Sequence, residues 1–280
     1  MVSELLRAAR YEKTAIAAFN CSAFDSMAGV AMAAKESGVP VIIQTSAALV
    51  ATLGTALPKG WFDLVKKHIC SDCYLHLDHC QDLVLLKNCI DAGWDMVMYD
   101  GSADKIEDNC RNITAVIAYA HKNNVAVEGE VGGVMGEESG SKSSNAYASA
   151  RDVSMLAQCG PDCLAIGFGN VHGSYKTKET LNWDVLVQAG KTTELPLVLH
   201  GGSGLTDTEF FKAIDAGCAK INISTELKRV YAKAVKNSTT SMEVVIQPLK
   251  LHSELMQLTM ETALNFITIF RGRKNANGKF

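Results

Sequence analysis

Leu197-Val198-Leu199-His200-Gly201-Gly202-Ser203-Gly204 begins the stretch that decides the fold, and Lys220-Ile221-Asn222-Ile223-Ser224-Thr225 ends it. The three apolar residues at its start predict a short buried strand, which polar and glycine residues follow at once. Thr206–Ala216 predicts an amphipathic helix, and Gly217 is typical of a helix end. Because the second segment again begins as an apolar strand, the stretch predicts a βαβ unit with parallel strands.

The same alternation of short apolar runs and amphipathic segments recurs along the whole chain. The predicted strands are Ala15–Phe19, Val39–Gln44, Tyr74–Leu77, Met96–Tyr99, Ala126–Val131, Cys163–Ile166, Leu197–Leu199 and Lys220–Ile223. Eight such units predict the α/β class and a (β/α)8 TIM barrel, with residues 1–280 as a single domain and a helical extension after the last strand. A doubly wound sheet would place a Gly-x-Gly-x-x-Gly turn after an early strand, where this chain has Asn20-Cys21-Ser22-Ala23.

The composition limits the partners and the compartment. The net charge of −3 does not favour binding to nucleic acid or to an anionic membrane, and no apolar run reaches the roughly 18 residues that span a bilayer. The nine cysteines lie mostly in apolar patterns, so we expect reduced thiols in a cytoplasmic protein. The motif Cys70-x-x-Cys73-x-x-His76-x-x-His79 lacks the roughly twelve residues that separate the ligand pairs of a zinc finger, so we expect no structural zinc there.

Three histidines follow three different predicted strands: His79, His172 and His200. Because the carboxyl ends of the strands meet at one face of a barrel, the three imidazoles can converge there. Three nitrogen ligands with an open fourth position are typical of a catalytic zinc site, and Asp78 places an acid/base group beside it. Read singly, each histidine is also compatible with a hydrogen-bonded structural role.

Polar residues end most of the other predicted strands as well. They are Asn20, Gln44, Ser46, Asp100, Glu128, Glu130, Asn222, Ser224 and Thr225. An active site explains this pattern better than packing does. The glycines of 200–204 and the hydroxyls of Ser203 and Thr225 predict a phosphate cradle after the seventh and eighth strands, although a Gly-Gly-Ser-Gly run alone is often only a turn.

The polar segment 136–145, Gly-Glu-Glu-Ser-Gly-Ser-Lys-Ser-Ser-Asn, interrupts the compact pattern after the fifth strand. A long polar loop on this face is often a mobile lid, and an ordinary surface loop is the alternative. Its pair Glu137-Glu138 is either a solvated charge pair or the source of a base that closes over the substrate.

Together these motifs resemble those of the zinc-dependent class II aldolases of sugar bisphosphates, the fructose- and tagatose-bisphosphate aldolases. The resemblance covers nearly the whole chain, from Asn20 to the C-terminal helix. Its most specific pieces are His76-Leu77-Asp78-His79, Val127-Glu128-Gly129-Glu130-Val131-Gly132, Gly169-Asn170-Val171-His172-Gly173, Leu199-His200-Gly201-Gly202-Ser203-Gly204 and Lys220-Ile221-Asn222-Ile223-Ser224-Thr225-Glu226-Leu227.

The resemblance implies a role for each matching residue. His79, His172 and His200 correspond to the zinc ligands, Glu130 to a carboxylate that binds the metal in an alternative position, and Asp100 to its neighbour in a second site. Asp78 and Glu138 correspond to the two catalytic acid/base groups. The residues expected to bind the substrate and its phosphate are Asn20, Ser46, Gly173, Gly201, Gly202, Ser203, Asn222, Ser224 and Thr225. The family also implies a monovalent cation, Na⁺ or K⁺, near the phosphate and a homodimer or homotetramer.

We therefore expect a zinc-dependent aldolase that cleaves fructose or tagatose 1,6-bisphosphate to dihydroxyacetone phosphate and glyceraldehyde 3-phosphate, as in glycolysis. The aldehyde partner is less defined, because Met135-Gly136 replaces the family's usual Gly-Gly and the Thr-Asp-Pro after the lid is absent. A distal phosphate site is not evident, and Arg271, Arg273 or a partner subunit are the candidates. The alternatives are an aldolase of another phosphorylated ketose or keto-sugar acid, a zinc hydrolase, and a non-catalytic barrel subunit.

Overall fold

The computed structural model describes residues 1–134, 147–173, 181–238 and 247–272. Within them the chain forms a closed barrel of eight parallel strands in the order β1 to β8, with helices between the strands. The predicted TIM barrel with a C-terminal helical extension is confirmed. The elements are α1 Val2–Glu12, β1 Ile16–Asn20, α2 Phe24–Ser37, β2 Val41–Ser46, α3 Ala47–Leu53, α4 Ala56–His68, β3 Cys73–Cys80, α5 Leu83–Asp91, β4 Met96–Tyr99, α6 Ile106–Lys122, β5 Ala126–Val131, α7 Ala150–Gln158, β6 Cys163–Ile166, α8 Trp183–Thr192, β7 Leu197–Leu199, α9 Asp207–Asp215, β8 Cys218–Ile223, α10 Thr225–Ser238 and α11 Pro248–Phe270.

The apolar residues form two layers. Side chains that point into the barrel, such as Ile42 and Met98, pack against Leu6 of α1, so the N-terminal helix closes the amino end of the barrel. A larger layer lies between the outer faces of the strands and the helices. Apolar side chains fill the amino end of the barrel. Polar groups lie at its carboxyl end, where TIM barrels carry their active sites.

The third strand is longer than the sequence predicts, and this changes the placement of two site residues. β3 continues through Asp78 and His79 to Cys80, so these residues lie within the strand and not after it. Asp78 pairs with Ser46 of β2, and the register with β4 shifts between Leu77 and Cys80. At the shift His79 adopts a φ of 47°. The period-two pattern ends where polar residues begin, which is why the strand appeared shorter from the sequence.

Two helices close the outer wall of the barrel with a tight contact. α2 packs along α11, and a Cβ placed on Gly29 would lie 2.7 Å from Cβ of Thr259. The end of α11 reaches the amino end of the barrel, because the carbonyl oxygen of Phe270 accepts a hydrogen bond from the backbone N–H of Ala15. In the described part of the chain no helix is long and apolar enough to span a membrane. All nine cysteines lie in described residues and none forms a disulfide.

Candidate metal centre and active site

The three predicted histidine ligands come together at the carboxyl end of the barrel. Nε2 of His79 lies 2.8 Å from Nδ1 of His200, and the ring of His172 lies 4.9 Å from that of His79 and 5.8 Å from that of His200, between centroids. Each of the three offers a ring nitrogen within 4.8 Å of the other two. His79 and His200 are buried, and His172 is half-buried. The sequence neighbourhoods of these residues are unrelated, so only closure of the barrel brings them together.

Carboxylates hold the outward-facing nitrogens of two of these histidines. Nε2 of His200 lies 2.7 Å from Oε1 of Glu128, and Nδ1 of His79 lies 3.1 Å from Oδ2 of Asp100. A carboxylate on one ring nitrogen fixes the proton there and directs the lone pair of the other nitrogen inwards. Burial lowers the pKa of His200 and of His172, which favours the neutral, ligating imidazole.

This donor set fits a zinc ion. Two inward-facing nitrogens with carboxylate partners and a third imidazole beside them are the ligands that catalytic zinc sites use. A second group, formed by His79, Asp100 and Glu130, lies next to the first. Within the described residues the buried Oε2 of Glu130 has no hydrogen-bond partner, and burial and the charge of Asp100 raise the pKa of its carboxyl well above the usual value. A cation there would relieve both costs.

Asp78 stands beside the histidines with both carboxylate oxygens held by amides. Nδ2 of Asn20 donates to Oδ2 over 2.7 Å, and Nδ2 of Asn222 donates to Oδ1 over 3.3 Å. Burial would raise the pKa of Asp78, but the positive charges of His79 and Lys220 outweigh it, and the pKa lies below its usual range. The group is therefore an oriented carboxylate that stays ionised.

The amides on Asp78 belong to a longer polar chain that crosses the barrel. Nε2 of Gln44 donates to Oδ1 of Asn20 over 2.6 Å, and Oε1 of Gln44 faces Nδ1 of His76 at 3.1 Å. On the other side Nζ of Lys220 donates to Oδ1 of Asn222 and to Oε2 of Glu128. The sequence pattern predicted no separate role for Lys220. The available signal was a lysine two residues before Asn222 on the same face of an otherwise apolar strand.

A cleft opens beside the histidines and Asp78. Seven of the nine residues predicted to bind the substrate and its phosphate line it, together with Asp78 and His172; the seven are Asn20, Gly173, Gly201, Ser203, Asn222, Ser224 and Thr225. Gly201 has a φ of 69°, and a Cβ there would lie 2.2 Å from the carbonyl oxygen of Val171, so only glycine fits this turn. The first turn of α10 begins at Thr225, which brings helix N–H groups to the cleft.

The other predicted site residues are placed differently. Gly202 packs behind the cleft, where a Cβ would lie 2.9 Å from the carbonyl oxygen of Asn222. Ser46 does not line the cleft, and its Oγ instead accepts the Leu49 N–H at the start of α3. Arg271 follows α11 at the amino end of the barrel, so within one chain it lies away from the cleft. Glu138 and Arg273 lie outside the described residues.

Comparisons with known proteins agree on the family. A family model described as "Fructose-bisphosphate aldolase class-II" matches residues 1–275. The 6-phospho-5-dehydro-2-deoxy-D-gluconate aldolase of Halalkalibacterium halodurans is 37% identical over 246 residues, which cover 86% of this chain and 85% of that protein. The fructose-bisphosphate aldolase of Mycoplasma pneumoniae is 33% identical over 241 residues, 84% of this chain and 83% of that protein.

A solved structure shows the same architecture. The crystal structure of the YdjI aldolase from Escherichia coli K12 superposes with a TM-score of 0.83 at 28% sequence identity. The match covers 96% of each chain, so the barrel and the C-terminal extension are shared as a unit.

Proposed function

The chain belongs to the class II fructose-bisphosphate aldolase family, and from this premise we propose that it is a zinc-dependent aldolase that releases dihydroxyacetone phosphate from a phosphorylated ketose. One observation carries the proposal: the ring nitrogens of His79, His172 and His200 converge beside Asp78 at the mouth of a glycine-lined cleft. A non-catalytic barrel subunit would not need this combination. A zinc hydrolase usually takes a ligand pair from the first strand, and here β1 ends in Phe19-Asn20.

The phosphate of the dihydroxyacetone phosphate half is assigned to the cleft. Gly173, Gly201, Ser203 and Thr225 surround a space in which backbone N–H groups and hydroxyls can approach an anion. The positive end of the α10 dipole adds to this attraction. Because the family implies a monovalent cation, the proposal includes a sodium or potassium ion beside the phosphate.

Asp78 is the proposed base for cleavage. In the cleavage direction its carboxylate accepts the proton of the substrate's C4 hydroxyl while the C3–C4 bond breaks. The hydroxyl carbon leaves as an aldehyde, and the bonding electron pair becomes an enediolate on the three-carbon half. Glu138 then donates a proton to C3, which gives dihydroxyacetone phosphate. The two amide donors on Asp78 keep its carboxylate aimed at one position throughout.

Zinc held by His79, His172 and His200, with Glu130 and Asp100 as an alternative position, would act as a Lewis acid that stabilises the developing negative charge. The residues around it fix the geometry: Glu128 and Asp100 orient two of the imidazoles, and burial of the site excludes bulk water. Glu138 enters the proposal from the segment 136–145, which lies outside the described residues.

Two aldehyde partners are proposed, because the relatives carry two names. The fructose-bisphosphate aldolases of mycoplasmas and staphylococci support glyceraldehyde 3-phosphate, released from fructose or tagatose 1,6-bisphosphate. The 6-phospho-5-dehydro-2-deoxy-D-gluconate aldolases of two bacteria support a carboxylated aldehyde, malonate semialdehyde. Retro-aldol cleavage gives dihydroxyacetone phosphate in every case, so the half-site in the cleft is common to all three substrates. We also propose a cytoplasmic homodimer or homotetramer.

A coupled assay for dihydroxyacetone phosphate tests the proposal. Fructose 1,6-bisphosphate, tagatose 1,6-bisphosphate and 6-phospho-5-dehydro-2-deoxy-D-gluconate are each incubated with the native protein, with chelated protein, and with chelated protein after zinc is restored. We expect zinc-dependent cleavage of one substrate well above the others. Absence of cleavage with all three, in protein that contains zinc, would contradict the proposed substrate class.

A further inference from the structure

Lys220 is a fully buried lysine in the middle of the barrel, with none of its side chain exposed. Its Nζ lies 2.9 Å from Oε2 of Glu128 and 2.8 Å from Oδ1 of Asn222. Burying an ammonium group costs several kcal/mol unless its hydrogen bonds and its charge are matched. Glu128 supplies the matching charge, but the bond to Asn222 does not neutralise anything, so it calls for a separate explanation.

The bond to Asn222 determines which way the amide faces. A lysine ammonium carries only donors, so the atom that it contacts on Asn222 must be the carbonyl oxygen. The amide nitrogen of Asn222 therefore points the other way, where it donates to Oδ1 of Asp78. If the amide rotated by half a turn, its oxygen would face the Asp78 carboxylate and its N–H groups would face Lys220, so acceptor would meet acceptor and donor would meet donor.

On the other side of Asp78, no charged group fixes the direction of the amide that holds the carboxylate. Asn20 donates to Oδ2 of Asp78 and is oriented by Gln44, which in turn meets His76. A neutral imidazole can present either a donor or an acceptor at Nδ1, so His76 does not fix which way the amides of Gln44 and Asn20 face. Burial and the charge of Lys220 lower the pKa of His76 to about 3, which keeps the ring neutral. Among the described groups around Asp78, only Lys220 imposes a fixed direction by charge.

We propose that Lys220 is a positioning residue for the carboxylate of Asp78, and that it acts by locking the amide of Asn222. This inference rests on the proposed function, in which Asp78 moves the proton of the substrate hydroxyl. The inference predicts different effects on the two halves of the reaction. Carbon–carbon cleavage needs Asp78, whereas proton exchange at C3 of dihydroxyacetone phosphate needs Glu138, so a change at Lys220 affects the first more than the second.

The test is a double-mutant cycle between Lys220→Met and Asn222→Ala. Methionine keeps the length of the side chain and removes its donors. We measure kcat and KM for cleavage, the rate of solvent deuterium exchange into dihydroxyacetone phosphate, and bound zinc. We expect Lys220→Met to lower kcat by roughly 10–100-fold, the range for partners that orient a catalytic group, with a smaller change in exchange. Lys233→Met, on the exposed face of α10, is the matched control and should leave every rate unchanged.

The cycle distinguishes positioning from general support of the fold. If Lys220 acts through Asn222, adding Lys220→Met to Asn222→Ala lowers kcat little further. Losses that multiply, or an equal loss of cleavage and exchange, would overturn the inference. Lys220→Arg retains the charge and the donors and should retain more of kcat than Lys220→Met. Should Lys220→Met alone fail to fold, Glu128→Gln with Lys220→Met replaces the buried pair by neutral groups and enters the cycle in its place, with Glu128→Gln as its reference.

A structural readout keeps the inference separate from the proposed function. Assays of the wild-type protein test the proposed function itself. If the wild-type protein did not cleave the substrates, the proposed substrate class would be wrong, and the role of Lys220 would be judged from the structure. A crystal structure of the Lys220→Met protein is read independently of turnover. We expect the Asn222 amide to leave Asp78, beyond a hydrogen-bond distance of about 3.5 Å. An amide that stays in place without Lys220 would refute the lock.

Discussion

Nε2 of His79 and Nδ1 of His200 lie 2.8 Å apart, although 121 residues separate the two histidines in the chain. His79 lies in β3 and His200 directly follows β7, on the far side of the barrel. Two imidazole nitrogens at this distance need a proton or a cation between them, because two lone pairs would repel. Glu128 and Asp100 hold the other nitrogens of these rings, so the two inward-facing nitrogens can act together as ligands of a cation.

Replacing His200 by alanine is expected to abolish tight zinc binding. The change removes one of three nitrogen ligands and leaves Glu128 without its imidazole partner, so we expect affinity to fall by more than about 100-fold, beyond the effect typical of outer partners. Competition with a chromogenic chelator measures it. His121→Ala is the control, since this histidine is 45% exposed on α6 and pairs with Asp162 away from the cleft. Equal zinc affinity in the two variants would contradict the ligand assignment.

Replacing Asp78 by asparagine is expected to lower cleavage by at least ~100-fold, the low end for loss of a general acid/base. Asparagine has nearly the same shape, so bound zinc and the melting temperature should change little. Steady-state kinetics and metal analysis on the same sample check both points. Asp184→Asn, on the exposed first turn of α8, gives the matched control. Near-normal turnover in Asp78→Asn would rule out its role as the base.

Glu138→Ala is expected to slow proton exchange at C3 of dihydroxyacetone phosphate. Without this carboxylate the enediolate forms and is protonated slowly, so exchange of the C3 proton with deuterated water should fall by at least ~100-fold. Nuclear magnetic resonance of the ketone follows the exchange. The neighbouring Glu137→Ala changes the same charge in the same segment, and it should exchange at close to the wild-type rate. Loss of exchange in both variants would point to the charge of the lid, and unchanged exchange in Glu138→Ala would exclude it as the proton donor.

The sequence predicts the barrel well because burial by parallel strands leaves a local signal. Four strands, β4 to β7, have the predicted boundaries, and three of them, β4, β6 and β7, are short runs of apolar residues. Polar strand ends gave no such signal, so the extension of β3 through His79 was missed. The place of Arg271 was also missed, because the sequence does not tell which end of the barrel a final helix reaches.

The candidate site was also predictable only in part. The residue types that face the cleft are visible in the sequence, since polar residues at strand ends have no packing role there. Their hydrogen bonds are not visible, because each joins strands that are far apart in the chain. Lys220 and Glu128 are 92 residues apart, and their pairing follows only from the closed barrel. Ser46 shows a further limit: its hydroxyl caps α3, a helix that the sequence did not predict.

Gly201→Ala is expected to damage both stability and substrate binding. An alanine at a φ of 69° costs about 1–2 kcal/mol by itself. Its Cβ would also lie 2.2 Å from the carbonyl oxygen of Val171, so one of the two segments must move. Both segments border the proposed phosphate site, and a displaced N–H group loses a hydrogen bond to a charged ligand worth about 1.5–3 kcal/mol. We therefore expect KM for the preferred ketose to rise by roughly 10-fold or more.

Gly38→Ala separates the two causes. Gly38 ends α2 with a φ of 65°, but a Cβ there meets no atom within 4 Å. This variant carries the backbone strain without the collision, so we expect a similar loss of about 1–2 kcal/mol in the free energy of unfolding and an unchanged KM. Denaturant unfolding and steady-state kinetics on both variants make the comparison. If Gly38→Ala raised KM as much as Gly201→Ala, strain spread through the fold would explain the effect. If neither variant raised KM, the 200–204 loop would not be the phosphate site.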